Sequence, residues 1–582
     1  NKIPWSGHSG NYAIEDIYNI LKGNQKTIIF VNTRAQVEKV FHELWKINEK
    51  KIKIALHHGS LEKNIRKKIE DNMSQGNLDC IVSTSSLDLG IDWADINLII
   101  NIGAPKSINR LKQRIGRSNH KLDLPSKCIL VPTNTFEFIE CYAARKEILR
   151  NKFDEIIPKK GSLDVLSQHI CGVSCSSPID PEIFFCEIKQ SFPYNYITKT
   201  VFFEVFDFVR NGGYSLKHYE EYKRLRKLSD NTFIINNSKF ERKYKMNVGT
   251  IVEAPMLKLK TKNKFLGYIE ERFISNLKKG DTFLFSGEIF QLESLKGLNV
   301  FVKKTLNQNA KVPTYYGGNI SISSNLSLAV INLIEQKKNW VHFPLQIKKW
   351  LELQDKNSII PINNQILVEV FPFNNKFFTV IHSFMGRNVN QTIGFLCLSR
   401  MKENKEKPLG FTINEFGLAL WSLKKPSNII KMFDENLMMY EFEKWIHNTH
   451  LTKKKFRDIA LISGLVEKKL PGLEKTGKQV LFSTDIIFDM LNKYEPNHVL
   501  LKIVRDDVMY SIVGEKKLKE VLIKIKNNLI IRNLNQISPL AFPLVLESGK
   551  QIISNEERNE YIADELESKI FKSLKIYDSE KF

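Results

Sequence analysis

Between residues 27 and 150 the apolar positions follow two alternating rhythms. Thr27-Ile28-Ile29-Phe30-Val31-Asn32 is a short apolar run rich in β-branched side chains, which predicts a buried strand. Behind it Val37, Val40, Phe41, Leu44 and Trp45 recur at helical spacing and mark one face of a helix. The alternation continues with strands at 52–57, 80–83, 97–102 and 127–131, and helices at 61–74, 108–115 and about 136–149. Regular strand–helix alternation predicts an α/β domain with a parallel, doubly wound sheet. Ligands of such sheets sit at the carboxyl ends of the strands.

Lys159-Lys160-Gly161 marks a boundary. Helical patterns at 163–173, 181–190 and 200–210 are followed by a strand-like stretch at 233–235, which suits a helix-turn-helix or winged-helix module. From about Asn247 the period changes to two, with strands expected at 250–253, 256–259, 265–270, 282–287 and 300–302: a small β-barrel or sandwich. Past about Ser324 helices (327–336, 343–353) mix with strands (366–371, 377–382), and from about Glu556 a charged helix or frayed tail is expected. The chain therefore divides into 1–157 (parallel α/β), 158–245 (winged helix), 246–325 (β-barrel) and 326–582 (mixed α+β).

Composition adds less. With 42% hydrophobic and 26% charged residues the chain can bury real cores, and its 582 residues suit about four domains of roughly 150 each. No apolar run approaches the roughly 18 residues of a membrane-spanning helix. Asn1-Lys2-Ile3-Pro4-Trp5 has no signal-peptide core and no initiator Met, so a processed chain or the downstream part of a longer one is expected. Seven cysteines, an odd number at scattered spacings, suggest reduced thiols and a cytoplasmic protein; Cys171 and Cys175 read as core residues rather than metal ligands. The balance of 87 Lys+Arg against 64 Asp+Glu, a net +23, points to a polyanion. Most of that excess is Lys in a chain rich in Asn and Ile, as A/T-biased coding produces, so it argues for nucleic acid only diffusely.

The informative charge is Gln113-Arg114-Ile115-Gly116-Arg117-Ser118-Asn119-His120, where a Lys-preferring chain turns to Arg. Arg114 and Arg117, three apart, are expected to present guanidinium forks to phosphate on nearly one helix face. Ahead of it lie Thr84-Ser85-Ser86-Leu87-Asp88-Leu89-Gly90-Ile91-Asp92-Trp93, His57-His58-Gly59-Ser60 and the 27–34 run.

In that order these segments resemble motifs IV, IVa, V and VI of superfamily 2 helicases. In particular the chain resembles the large-helicase-related (Lhr) family, in wording closest to the bacterial ligase-associated DEXH-box helicase, the Lhr core. Pro4-Trp5-Ser6-Gly7-His8, Leu163-Asp164-Val165-Leu166-Ser167-Gln168-His169, Asn247-Val248-Gly249-Thr250-Ile251-Val252-Glu253-Ala254-Pro255, Gly280-Asp281-Thr282-Phe283 and Lys475-Thr476-Gly477-Lys478-Gln479 extend the resemblance over nearly the whole chain. It implies that 1–157 is a second RecA-like motor domain and that 246–325 is part of an Lhr-specific domain. It further implies an ATP-dependent 3′-to-5′ translocase on single-stranded DNA, or DNA with a 3′ tail. Carried over, Arg117 is the arginine finger to the γ-phosphate, with Gln113 and Arg114 in the same ATP-facing motif. Gly90 and Asp92 lie at the nucleotide. Asn32, Thr33, Arg34, His58, Gly59, Ser60 and Thr84 face DNA phosphates, and Tyr315 stacks on a base or packs in the barrel. The family setting implies DNA repair beside an ATP-dependent ligase, a metallophosphoesterase and a nuclease.

Two departures stand out. His120 takes a place where many superfamily 2 members have Arg, so Arg117 carries the finger role largely alone. The chain also holds no G-x-x-x-x-G-K-[ST] loop and no D-E-x-H motif, so ATP and Mg²⁺ would be bound mainly by a first motor domain preceding Asn1, and the chain alone is expected not to hydrolyse ATP. Gly472-Leu473-Glu474-Lys475-Thr476-Gly477-Lys478-Gln479 nearly matches the loop, but Gln479 replaces the hydroxyl and a strand is expected at 480–483. His382 and Arg387 read as a satisfied surface pair, with contact to DNA as the alternative. A stand-alone nucleic-acid-binding or regulatory module, or an RNA helicase, remains an alternative.

Overall fold

The computed structural model describes residues 3–550 apart from 6, 8–9, 24, 90–92, 94–95, 120–124, 156–157, 159, 229–230, 253–255, 263, 276, 306–309, 311–321, 434–449, 471 and 509–514. Its first elements are α1 (Ile14–Leu21), β1 (Thr27–Phe30), α2 (Arg34–Lys46), β2 (Ile54–His57), α3 (Lys63–Ser74), β3 (Cys80–Ser83), β4 (Leu98–Ile102), α4 (Ile108–Ile115), β5 (Cys128–Val131) and α5 (Thr135–Leu149). The strands pair in parallel in the order β2-β3-β1-β4-β5. Alternate side chains of each strand enter different cores: Ile29 and Val82 pack with Val37, Val40 and Leu44 of α2, while Ile28, Phe30 and Ile81 pack with Met73 of α3.

The chain then forms α6 (Leu163–Ser174), α7 (Pro181–Gln190), α8 (Lys199–Asn211), the antiparallel pair β6 (Leu225–Lys227) and β7 (Phe233–Ile235), and α9 (Ser238–Asn247). Asp180 and Thr198 cap α7 and α8 through their side chains, and α8 stops at Gly212, which is left-handed.

A second sheet follows: β8 (Met256–Lys260), β9 (Phe265–Glu270), the short α10 (Glu271–Ser275), β10 (Thr282–Phe285), β11 (Glu288–Lys296) and β12 (Asn299–Lys304), in the order β10-β11-β12-β8-β9. The barrel region thus takes the form of a five-stranded sheet. Residues 250–252 are not a strand, Ile251 is almost fully exposed, and Glu253 lies outside the described residues. The strand not foreseen is β11, whose register slips between Leu292 and Ser294 and so breaks the alternation. Buried Leu257, Leu259, Phe283, Phe285 and Phe290 of this sheet share one core with α1 and α2.

Beyond it come α11 (Ser324–Glu335), α12 (Leu345–Asn357), β13 (Ile366–Phe373), β14 (Lys376–His382), α13 (Arg387–Glu403), β15 (Pro408–Ile413) and β16 (Gly417–Ser422). Next are α14 (His450–Ile462), β17 (Lys469–Leu470), β18 (Leu473–Glu474), α15 (Gly477–Tyr494), α16 (Val499–Val508), α17 (Glu515–Asn528), β19 (Leu529–Asn533) and α18 (Phe542–Lys550). The third sheet runs β15-β16-β14-β13-β19.

Two compact units result. One gathers the described residues of 1–155, 257–438 and 516–582, the other those of 156–256 and 439–515. The stretch 326–582 is therefore not one body: its α14, α15 and α16 fold with the winged-helix segment. Within that second unit the Gln168 amide donates to Ile462 O at 2.8 Å and Arg224 to Ser463 O at 3.0 Å.

The expected strand at 480–483 is wrong. Those residues lie in α15, whose buried Val480, Thr484, Phe488 and Leu491 follow helical spacing. A four-residue apolar run does not distinguish strand from helix; the longer window does.

Candidate functional site

At the carboxyl ends of β1, β2 and β3 the expected phosphate-facing residues sort into two kinds. Thr33 caps α2, its hydroxyl accepting the Gln36 N–H at 3.1 Å, and is itself exposed. Gly59 is exposed, and a Cβ there would come 3.7 Å from an Arg34 guanidinium nitrogen. Arg34, half-buried, donates from Nη1 to Ser60 Oγ at 2.8 Å. Thr33, Arg34 and Gly59 therefore form one accessible patch suited to a phosphate oxygen.

The others are turned inward. Asn32 ties its amide to Ala104 O at 2.9 Å, joining the loops that follow β1 and β4. His58 is fully buried: Nδ1 accepts the Ser60 N–H at 3.2 Å, so Nε2 carries the proton and donates to Glu38 at 3.0 Å. Ser60 is buried with its amide on His58 and its hydroxyl on Arg34. Thr84 is buried against Ser86. His58, Ser60 and Thr84 hold the loops rather than meet a ligand; the surrounding core has taken their polar groups. His57 joins the same scaffold, bonded to Ser86 at 2.9 Å and Glu70 at 2.8 Å, and burial lowers its pKa.

The second cluster lies on α4, capped by Ser107, whose hydroxyl also donates to Asp154 at 2.7 Å. Ile108, Leu111 and Arg114 occupy successive three-residue steps on the buried face. Arg114, 1% exposed, donates from Nε to Asp88 Oδ1 at 3.0 Å and from Nη1 to Asn101 Oδ1 at 2.5 Å, with its guanidinium 4.9 Å from the Phe30 ring centroid. Its expected place facing a phosphate is thus corrected: it does not share a face with Arg117. Gln113 is exposed, and Arg117, half-buried, follows the helix end at Gly116, its N–H on Arg114 O at 3.0 Å. Arg110 reaches Asp88 Oδ2 at 3.6 Å. Gly90, Asp92, His120 and Tyr315 lie outside the described residues.

Elsewhere, His382 is buried rather than on the surface, bonded to Glu369 at 2.9 Å, and Arg387 donates to Ile413 O at 3.1 Å. Burial opposes the Glu369 charge, but His382 and the hydroxyls of Ser358 and Ser538 hold its pKa below the usual range. The near-match at 472–479 sits in a different setting from a phosphate loop. Its Leu473–Glu474 strand pairs antiparallel with Lys469–Leu470, and Thr476 and Gln479 satisfy each other's backbone in a capping box at the start of α15.

Three family models match the chain. "Helicase conserved C-terminal domain" covers 12–120, "Large helicase-related protein, winged helix domain" 146–312, and "DEAD/H associated" 360–541. The ATP-dependent helicase Lhr-Core of Methanocaldococcus jannaschii is 27% identical over 96% of this chain and 68% of its own length. The chain is similar to Lhr helicases over nearly its whole length.

An Lhr helicase/probable uracil glycosylase of Mycolicibacterium smegmatis is also similar, 21% identical over 92% of this chain and 39% of its own. The solved structure of Mycobacterium smegmatis helicase Lhr bound to ssDNA and AMP-PNP has the same fold, with a TM-score of 0.71, 20% identity, and coverage of 91% of this chain and 67% of that one. The chain spans about two thirds of the length of the Lhr-Core relatives it matches.

Asp88, Asn101 and Glu38 escape a sequence reading aimed at accessible donors, yet each organises the sites above. Glu38 left a signal: a carboxylate between Val37 and Val40 on the apolar face of α2. Arg114 left one too, three residues after Leu111.

Proposed function

We propose that this chain is the C-terminal part of an ATP-dependent DNA helicase that moves 3′ to 5′ on single-stranded DNA. The observation that carries the reading is the buried join of Arg114 to Asp88 and Asn101, which fixes the segment ending in Arg117 against the segment that follows β3. In a two-domain motor those two segments face the nucleotide and couple it to the strand.

ATP with Mg²⁺ supplies the phosphoryl group whose hydrolysis drives movement, and a first RecA-like domain supplies its phosphate cradle. The residues here suit the opposite side of such a cleft. Gln113 is exposed and Arg117 follows at the helix end, a fork for a γ-phosphate oxygen. Among the described residues no group of His, Cys, Asp or Glu is placed to hold a metal ion. Arg114 orients rather than touches. Thr33, Arg34 and the Gly59 backbone grip the DNA phosphates without reading sequence. Gly90 and Asp92 line the nucleotide and Tyr315 stacks on a base, on the strength of the sequence resemblance. The same resemblance places the protein in DNA repair, beside an ATP-dependent ligase, a metallophosphoesterase and a nuclease.

The test has two arms. The 582-residue chain should bind fluorescein-labelled oligothymidylate with an affinity that falls steeply with salt, and should hydrolyse no ATP. The protein joined to a first motor domain should show ATPase activity stimulated by single-stranded DNA. Stimulation by RNA alone would reassign the substrate, and hydrolysis by the 582-residue chain would overturn the shared-site reading.

A further inference from the structure

We propose that Glu38 is a positioning residue through which the β8–β12 sheet holds the Gly59 loop in its DNA-gripping shape; the inference rests on the reading of Gly59 and Arg34 as phosphate contacts. The Glu38 side chain is fully buried. It accepts the Ser286 N–H at 2.7 Å and His58 Nε2 at 3.0 Å on Oε1, and the Gly287 N–H at 2.7 Å on Oε2. Ser286 and Gly287 form the β10–β11 turn, both at positive φ (54° and 75°), so that their successive amides converge on one carboxylate. A side chain at Gly287 would strike the Phe41 ring at 2.4 Å.

A second attachment holds the same loop from β9. Leu61 bridges Gly267 in antiparallel fashion, and the Tyr268 N–H donates to Ser60 O at 2.8 Å. Gly267 is required by that approach, since a Cβ there would lie 2.4 Å from Ser60 O. The His58 ring packs edge-on against Phe285. The loop that presents Gly59 is therefore held on either side by a sheet outside the motor fold. The three donors satisfy both oxygens of this buried side chain, as burial of a polar group requires.

The experiment uses the 582-residue chain with Glu38→Gln. The amide NH₂ can no longer accept, so one turn N–H loses its acceptor. Exchange of the 59–61 backbone amides should quicken about tenfold, and binding of fluorescein-labelled oligothymidylate should weaken about tenfold. Phe283→Leu, a change in the core of the same sheet that leaves the Glu38 hydrogen bonds in place, should leave the DNA affinity unchanged. If Glu38→Gln fails to fold, His58→Phe removes one donor while keeping a ring beside Phe285, and the same two readouts apply. Faster exchange with unchanged DNA affinity overturns the inference, as does no change in either. Absence of any binding by the unsubstituted chain overturns the underlying reading instead.

Discussion

Arg114 and Asp88 form an ion pair inside the protein, Nε to Oδ1 3.0 Å apart, with the arginine 1% and the aspartate 5% exposed. Two segments far apart in sequence are fixed by that contact. Removing Arg114 leaves the buried Asp88 with Arg110 alone, 3.6 Å away, and costs up to about 3–5 kcal/mol. Arg114→Ala should therefore lower the midpoint of urea unfolding sharply. Arg114→Lys should recover only part of the loss, because an ammonium cannot donate to Asp88 and Asn101 with the same fork. An unchanged midpoint in Arg114→Ala would show that the pair contributes nothing to stability.

A pH dependence follows from Glu140. Burial, ahead of the attraction of Lys106 at 2.9 Å, pushes its carboxyl up from an ordinary 4.5 to about 7. The unfolded chain releases this proton near 4.5, whereas the folded form keeps it until about 7. Stability therefore falls as pH rises through that window, by on the order of 3 kcal/mol from this group, and is flat above it. Glu140→Gln should remove that part of the slope. Urea unfolding at several pH values across the window, compared between the two proteins, checks it; parallel curves would refute the assignment.

The near-match to a phosphate loop gives a third expectation. Thr476 and Gln479 close a capping box on α15, so Thr476→Ala should cost about 1 kcal/mol in the stability of its unit. Lys478→Ala should leave ATP hydrolysis by the complete helicase untouched. Loss of hydrolysis with Lys478→Ala would restore the segment as a nucleotide site.

The parallel sheet was legible because its strands are short apolar runs and its helices keep a 3.6 period: β3 and α4 fall on the expected residues. What sequence spacing did not convey was which polar residues the core consumes. Arg114 and Arg117 are three apart, yet the helix ends between them, and Leu111 had already marked the face on which Arg114 lies buried. His58 and Ser60 read as ligands because their partners, Glu38 and Arg34, lie in α2, 20 and 26 residues back in the chain. The pairing of 439–515 with the winged-helix segment rests on contacts hundreds of residues apart, such as Arg224 with Ser463, which no local period records.

Arg117 and Arg114 should separate in experiment as they do in space. Arg117 is half-buried beyond the helix end, whereas Arg114 is sealed in the core. In the complete helicase Arg117→Ala should reduce DNA-stimulated ATP hydrolysis by about 10³-fold or more, the scale of an arginine finger. Binding of single-stranded DNA should persist, because Thr33, Arg34 and Gly59 belong to a different cluster. Arg117→Lys should recover little, since a point charge cannot engage two oxygens at once. Arg114→Ala should lose both stability and hydrolysis, because it opens the core and frees the segment that carries Arg117, whereas Arg117→Ala should keep its unfolding midpoint. Undiminished hydrolysis in a folded Arg117→Ala protein would remove the finger assignment and leave Gln113 and Arg110, on α4 ahead of it, as the groups to test.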